Sequence, residues 1–550
     1  MTPELGRRQF ITAVGATGLA IGVGGLLAES AAVGAPEADA ATFGLTNSGG
    51  FFTVDTGAGL VFKISQHNGD MTSMKFNGIE LNSQTTGSHV ESGLGSTAVV
   101  TAQQTGNFIV VTESVTNWYG HGTLFHYFVA VSGQNNIYMA TFVDANGAGE
   151  LRWISELDRS VVSNVLTRAD QKGGTAIESA DIFLVNGQTH SKYYSNRPAM
   201  NLTVRGVTGS NVGVFMAFGN RESSSGGPFF RDIEQQGTDA TNNFYNYLWS
   251  GHNDTEGQRL GVLYGPYCLM VTNGGTPSAP DMSFMYNFGF RGSVGPSGRG
   301  SLVGRASGVD SGVPAVVGFA NSTAQYWAIC SSTGDYASPA MKPGTYTMTL
   351  YQNELNVATK TVTVTAGTTT TGQNITSAWT TPSAIWRIGT WDGTPSNFLN
   401  WSNLTSMHPS DTRMSSWGPV TYTIGASSVG QFPAYQWKNV NNPTTIRFGL
   451  TSSQVAAHTV RIGITAAYAN GRPQITVNNW TAGQPSPSAQ PSSRSLTIGT
   501  YRGNNAQYTF AVPASAFVAG TNTMTINVIS GSGSSGFLSA GISYDCVELF

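Results

Sequence analysis

The sequence predicts an all-β protein: a large antiparallel β-sandwich, then a small β-sandwich, then a C-terminal jelly roll. Three observations carry this. Glycine is abundant, 68 of 550 residues, while charged residues make up only 10% and aromatics reach 11%. A disordered chain would be charge-rich and aromatic-poor, and helical bundles expose Lys- and Glu-rich faces. Runs rich in Val, Ile, Phe and Thr recur with Gly, Asn or Asp beyond them, and no window sustains helical periodicity over three turns. The length allows several domains of ordinary size.

The amino terminus reads as an export signal. Arg7-Arg8-Gln9-Phe10-Ile11 precedes an apolar run from Ile11 to Ala28, and mostly small residues follow through Ala41. A positive start, an apolar centre and a small-residue exit define a signal peptide, and the paired arginines assign it to the twin-arginine type. Residues 1–41 are therefore read as signal peptide and exit segment, with a cut expected after Ala40, leaving a secreted, extracellular protein with no membrane association.

Residues 42–291 form the first expected domain. Gly59-Leu60-Val61-Phe62-Lys63-Ile64 and Asn107-Phe108-Ile109-Val110-Val111-Thr112 typify its strands. So long a succession of strands implies a sandwich larger than an immunoglobulin domain. Gly292-Ser293-Val294-Gly295-Pro296-Ser297-Gly298 marks a boundary. Residues 292–378 then look like the small fibronectin III-like β-sandwich often found between domains of carbohydrate enzymes. Lys342-Pro343-Gly344-Thr345-Tyr346 feeds a hairpin there, made of 347–351 and 360–364, and the Thr-rich tract 365–371 is expected to be a linker. Residues 379–550 open at Trp386-Arg387-Ile388-Gly389 and close at Tyr544-Asp545-Cys546-Val547-Glu548-Leu549. Strands at both extremes suit a jelly roll, a shape that sugar-binding domains commonly use. Its Trp386, Trp391, Trp401 and Trp417 have two possible fates, stacking on sugars or packing in the core.

Composition also limits the partners. The formal net charge is −3, which provides no basic field for nucleic acid. Cys268, Cys330 and Cys546 are too few and scattered for a disulfide framework or a zinc site. No nucleotide-binding loop and no Gly-x-Ser-x-Gly elbow is present. Polar chemistry concentrates between Gly149 and Glu256. That segment contains Gly149-Glu150-Leu151-Arg152, His190-Ser191-Lys192-Tyr193-Tyr194-Ser195 and the run from Tyr245 through Tyr247 and His252 to Glu256. On a strand, Tyr245 and Tyr247 share a face, and His252 follows on the loop.

These segments resemble, in order, the rhamnogalacturonan lyases of polysaccharide lyase family 4. The resemblance also takes in Phe43-Gly44-Leu45-Thr46, Gly87-Ser88-His89, Ser92-Gly93-Leu94-Gly95-Ser96, Phe183-Leu184-Val185 and Ser307-Gly308-Val309-Asp310-Ser311. In the last domain it includes Met407-His408-Pro409-Ser410-Asp411-Thr412-Arg413 and the terminal Asp545-Cys546-Val547-Glu548-Leu549-Phe550. It thus spans nearly all of the chain after the signal segment. The resemblance implies cleavage of the rhamnose–galacturonate bond of rhamnogalacturonan I, a pectin backbone, by β-elimination with no cofactor required; a monomer acting on the polysaccharide is expected, though the sequence itself carries no signal of oligomeric state. Lys192 then matches the family's base and His252 its acid. A lysine serves as a base only where part of it is neutral, and burial or nearby cations would lower it from about 10.4. Arg152 matches an arginine that would clamp the substrate carboxylate, and Tyr245 and Tyr247 match tyrosines lining the cleft. Glu256 could orient a rhamnose hydroxyl or hold His252.

The sequence departs from the fungal pattern at two places. Glu156 stands where a second arginine is found, and Arg159 is then the residue that could supply the missing charge. His190 also replaces an arginine. Two other readings compete. A glycosidase needs two facing carboxylates, and Glu150, Glu156, Asp158, Glu222, Asp232 and Glu256 are available, but no spacing selects a pair. A non-catalytic pectin-binding protein would keep the sandwiches and lose Lys192 or His252. Jelly-roll sugar-binding domains often hold a structural Ca²⁺, and Asp392 and Asp545 are conceivable ligands.

Overall fold

The computed structural model describes residues 42–550 apart from 148, 532 and 533, so the expected signal peptide, residues 1–41, lies outside the described residues. Among the described residues the chain is all β, and its helices are short 3₁₀ turns. No helix among them is long and apolar enough to cross a membrane.

The first domain is built on antiparallel sheets. The largest runs in the order Val204–Gly209, Val212–Ala217, Val262–Thr272, Asn136–Val143, Gly122–Val131, Phe108–Trp118 and Val99–Thr105. A smaller sheet, Gln235–Gly237, Thr241–Ser250, Glu150–Asp158 and His89–Val90, shares its core. Phe128 of the first sheet meets Trp153 of the second edge-on at 5.5 Å, and both are fully buried. Alternation explains the packing: Phe108–Trp118 turns Ile109, Val111 and Val115 into this core. A separate three-stranded sheet, Thr175–Glu178, Ile182–Val185 and Gln188–Ser191, leads directly into Lys192.

The second module contains the expected hairpin, Gly344–Gln352 against Leu355–Val364. The Thr-rich tract is not a linker: Thr369–Thr370 and Ile375–Thr376 both pair in parallel with Ser301–Ser307. Strand pairing is a backbone interaction, so a polar tract with no apolar alternation can still close a sheet edge. The third module pairs its first strand, Trp386–Gly389, with its last, Gly541–Leu549, so that Trp386 faces Leu549. Trp386 and Trp391 are buried, and Trp401 and Trp417 pack half-buried against the module's core. Cys268 and Cys546 are buried, Cys330 is half-buried, and all three are free thiols.

A buried ion cluster fastens the second module to the first. Glu222 accepts from Arg299 at 2.6 and 3.0 Å and from the Tyr326 hydroxyl at 2.7 Å, and Lys342 lies 3.2 Å away. Burial opposes its charge, but Arg299 and Lys342 outweigh that and hold its carboxyl below the usual range. Glu222→Ala would strand two buried cations, so a loss of about 3–5 kcal/mol is expected in urea unfolding at neutral pH. The contribution of Glu222 itself is present above the unfolded carboxyl value and disappears as pH falls through the lowered folded one.

Candidate active site

The two central strands of the small sheet supply the floor of the site. Thr241–Ser250 pairs with Glu150–Asp158, and the register slips between Leu151, opposite Trp249, and Arg152, opposite Tyr247. The slip leaves Leu248 as an extra residue on its strand. Such bulges bend a strand and re-aim side chains, and they are frequent beside active sites. Tyr245 and Tyr247 lie on one face with ring centroids 5.7 Å apart, and the Arg152 guanidinium stands over both, at 5.9 and 5.4 Å. Arg152 Nη1 donates to the Tyr247 hydroxyl at 2.5 Å and pairs with Glu150 at 2.8 Å, while Nε donates to the Glu91 carbonyl at 3.3 Å. Its Nη2 makes no hydrogen bond among the described residues, which leaves a charged donor for an incoming carboxylate.

His252 follows this strand. Its Nδ1 is 2.9 Å from Asp232 Oδ1, its ring meets Tyr193 edge-on at 5.2 Å, and Tyr247 lies 5.4 Å away. Asp232 is itself fixed by the Ser250 hydroxyl and the Ile233 N–H. Burial disfavours charge on His252, but the Asp232 carboxylate outweighs it and raises the imidazole above its usual value. The same bond directs the Nδ1 proton to Asp232, so Nε2 is the nitrogen left to meet a substrate.

Lys192 opens the 3₁₀ turn Lys192–Ser195, capped by Ser191, whose hydroxyl accepts from the Tyr193 N–H at 3.2 Å. Its Nζ is 3.1 Å from Asp181 Oδ1 and 5.7 Å from the centre of the Tyr193 ring. The Tyr193 ring is thus close to both Lys192 and His252, and the Tyr247 ring is close to both His252 and Arg152.

The remaining sequence-derived positions are placed differently. Glu256 pairs with Arg259 at 2.9 Å, and the partner of His252 is Asp232. Arg159 is held bidentately by Asp170, both bonds at 2.7 Å, and also donates to the Thr238 carbonyl, so its charge is already matched. Glu156 turns to Asn243 at 3.2 Å and Thr86 at 3.4 Å, and burial raises its carboxyl above the ordinary value. His190 Nδ1 sits 2.5 Å from the Asp170 carbonyl. Asp392 Oδ1 accepts from Thr394, and Asp545 Oδ1 accepts from the N–H groups of residues 392 and 393. These oxygens meet donors, and no group of three or more His, Cys, Asp or Glu among the described residues is placed to hold a metal.

Sequence reasoning missed Asp181 and Tyr193 as parts of the site, and offered Asp232 only as a candidate glycosidase acid, not as the partner of His252. Asp232 lies 20 residues before His252, and no local spacing links them. Tyr193 was visible inside the Ser-Lys-Tyr-Tyr-Ser motif.

A lysine, an acid-paired histidine and an arginine over paired tyrosines, set on a β-sandwich, are groups able to move protons and to bind a carboxylate. Comparison with known proteins specifies the class. Residues 43–292 match the family model for the N-terminal domain of rhamnogalacturonan lyase B. Residues 298–372 and 384–549 match domains II and III of polysaccharide lyase family 4. The chain is 47% identical over 517 residues to a probable rhamnogalacturonate lyase A of Aspergillus fumigatus, covering 93% of this chain and 96% of that one. It is 46% identical over 520 residues to rhamnogalacturonate lyase A of Aspergillus aculeatus, with the same coverage. Against the enzyme of that name from Emericella nidulans it is 45% identical over 531 residues, 95% of this chain and 99% of that one. The chain belongs to polysaccharide lyase family 4.

Proposed function

We propose that this protein cleaves the rhamnose–galacturonate bonds of the rhamnogalacturonan I backbone by β-elimination. The observation that carries the reading is that Lys192 and His252 both lie against the Tyr193 ring, while Tyr247 lies against both His252 and Arg152. The C5 proton of a galacturonate is only weakly acidic, because removing it builds further negative charge beside the carboxylate. Arg152 offsets that charge through a bond that strengthens as the charge develops. Lys192 takes the proton, the C5–H electrons become the C4–C5 double bond, and the C4–O bond breaks. His252 protonates the departing oxygen. The product is an unsaturated uronate on one side and a rhamnose end on the other.

Arg152→Lys keeps a charge but loses the planar donor set. A fall in kcat/KM of about 10–100-fold is expected in steady-state kinetics, the size of a lost charged hydrogen bond.

The Arg7-Arg8 segment supports export by the twin-arginine route, and the low charge and abundant polar strands suit an extracellular protein. The deciding assay is absorbance near 235 nm, about where an enol ether conjugated to a carboxylate absorbs, during incubation with rhamnogalacturonan I. A rise establishes the lyase. New reducing ends without that rise would indicate a hydrolase, and binding without cleavage would indicate a carbohydrate-binding protein.

A further inference from the structure

The three-stranded sheet that delivers Lys192 belongs to the first domain, but its turn is gripped by the third. Arg494, in the loop before the 3₁₀ turn Ser495–Thr497, donates from Nη1 to Glu178 Oε1 at 2.8 Å. Its Nη2 donates to Asp181 Oδ2 at 2.7 Å, while the other oxygen of Asp181 is the one 3.1 Å from Lys192 Nζ. Thr497 Oγ1 donates to the same Glu178 oxygen at 2.8 Å, and His408 Nε2 stands 3.1 Å from the second. Beyond Lys192, the Tyr194 hydroxyl donates to the Thr497 carbonyl at 2.9 Å and Asn196 to the Gly499 carbonyl at 2.8 Å. The neighbouring Ser493 hydroxyl donates to Asn253, next to His252, at 2.5 Å.

We infer that Arg494 of the third domain is a positioning residue for catalysis, sharing the Asp181 carboxylate with Lys192 so that the lysine is held in place without being locked as an ion pair. This rests on Lys192 being the base. The charged groups facing the ammonium are Asp181 from its own sheet and Arg494 from the third domain. His252, with its Asp232, faces it from the loop after the tyrosine strand, with Glu178 and His408 behind Arg494. Asp181 alone would oppose loss of the proton that a base must shed to act. A second cation on the same carboxylate divides its charge and weakens that opposition, while the bonds on both flanks of Lys192 fix its position. The third domain thereby takes part in the chemistry of the first.

The test compares Arg494→Gln, Arg494→Lys, Asp181→Asn and the double variant Asp181→Asn/Arg494→Gln, with Lys192→Ala alongside. Each is assayed at 235 nm across pH, and its folding is checked by thermal unfolding. With Arg494→Gln the rising limb of kcat against pH is expected to move to higher pH, lowering kcat near neutrality about tenfold with little change in KM. Arg494→Lys should keep the limb in place. Adding Asp181→Asn to Arg494→Gln should return much of the lost rate, because the carboxylate that retains the proton has gone. An Arg494→Gln limb at the wild-type position, or a loss that Asp181→Asn deepens, overturns the inference while leaving Lys192 as base if Lys192→Ala is inactive. An active Lys192→Ala overturns both.

Discussion

Lys192→Ala is expected to abolish the rise in absorbance near 235 nm, lowering kcat by at least about 10²–10⁴-fold while the protein still binds its polysaccharide. The size of the loss follows from what remains around the vacated position. Tyr193, Tyr245 and Tyr247 are adjacent, but burial pushes each phenol far above its usual value, so none offers a phenolate at neutral pH. Asp181 faces burial, which raises a carboxyl, but Lys192 and Arg494 hold it below its ordinary range, and such an acid is a poor base for a carbon-bound proton. Asp232 raises His252 above its usual value, favouring its protonated form, so it works in the opposite direction. Removal of the ammonium leaves Asp181 still paired with Arg494, so the sheet should stay folded. Thermal unfolding of the variant checks this. Retention of more than about a tenth of wild-type activity would exclude Lys192 as the base, because a lost acid–base group costs more than that.

What the sequence could and could not disclose follows the range of the interactions. The sandwiches were legible because a strand advertises itself locally: residues 108–115 are rich in Val, Ile and Phe, and the structure turns every second one, Ile109, Val111, Glu113 and Val115, inward. The shared face of Tyr245 and Tyr247 follows from the same two-residue period. The misread linker at residues 365–371 shows the converse, since backbone pairing leaves no mark on side-chain pattern. Partners in ion pairs were the least legible. Arg159 finds Asp170 at 11 residues' distance, and His252 finds Asp232 at 20. Arg494 meets Asp181 across 313 residues, from a Pro- and Ser-rich stretch that reads as an ordinary loop. Those partners set charge and orientation, so the sequence disclosed which residues could react more readily than what tunes them.

The replacement of a family arginine by Glu156 illustrates the difference. As a free carboxylate it would repel a polyuronate. In the fold it is buried, bonded to Asn243 and Thr86, and pushed toward its protonated form. Both effects reduce the repulsion that the sequence suggests. Arg159 does not compensate, because Asp170 already matches its charge. In the proposed mechanism the uronate carboxylate is therefore left to Arg152, with the tyrosine hydroxyls and rings around it.

Asp232→Asn should expose the acid in the same way that Lys192→Ala exposes the base. The Asp232 carboxylate overcomes the burial that would neutralise His252, and the amide keeps the shape but not the charge. His252 then loses its proton at lower pH, so the falling limb of kcat against pH moves toward acid. At neutral pH the rate should drop toward the limit set by His252→Ala, a loss of about 10²–10⁴-fold for a missing general acid. Stability offers an independent reading with a fixed sign. A histidine raised on folding stabilises the protein below its unfolded value of about 6.5 and ceases to do so as pH rises through the folded value. The stability lost in Asp232→Asn should therefore be larger in acid than in alkali, measured by urea unfolding at several pH values. A falling limb that stays in place would mean that Asp232 orients the ring without setting its charge. An equal loss of stability at all pH values would mean that only the hydrogen bonds to Ser250 and Ile233 mattered. The two measurements separate the roles that one carboxylate combines, since a uniform packing defect lowers stability without shifting the pH at which His252 gives up its proton.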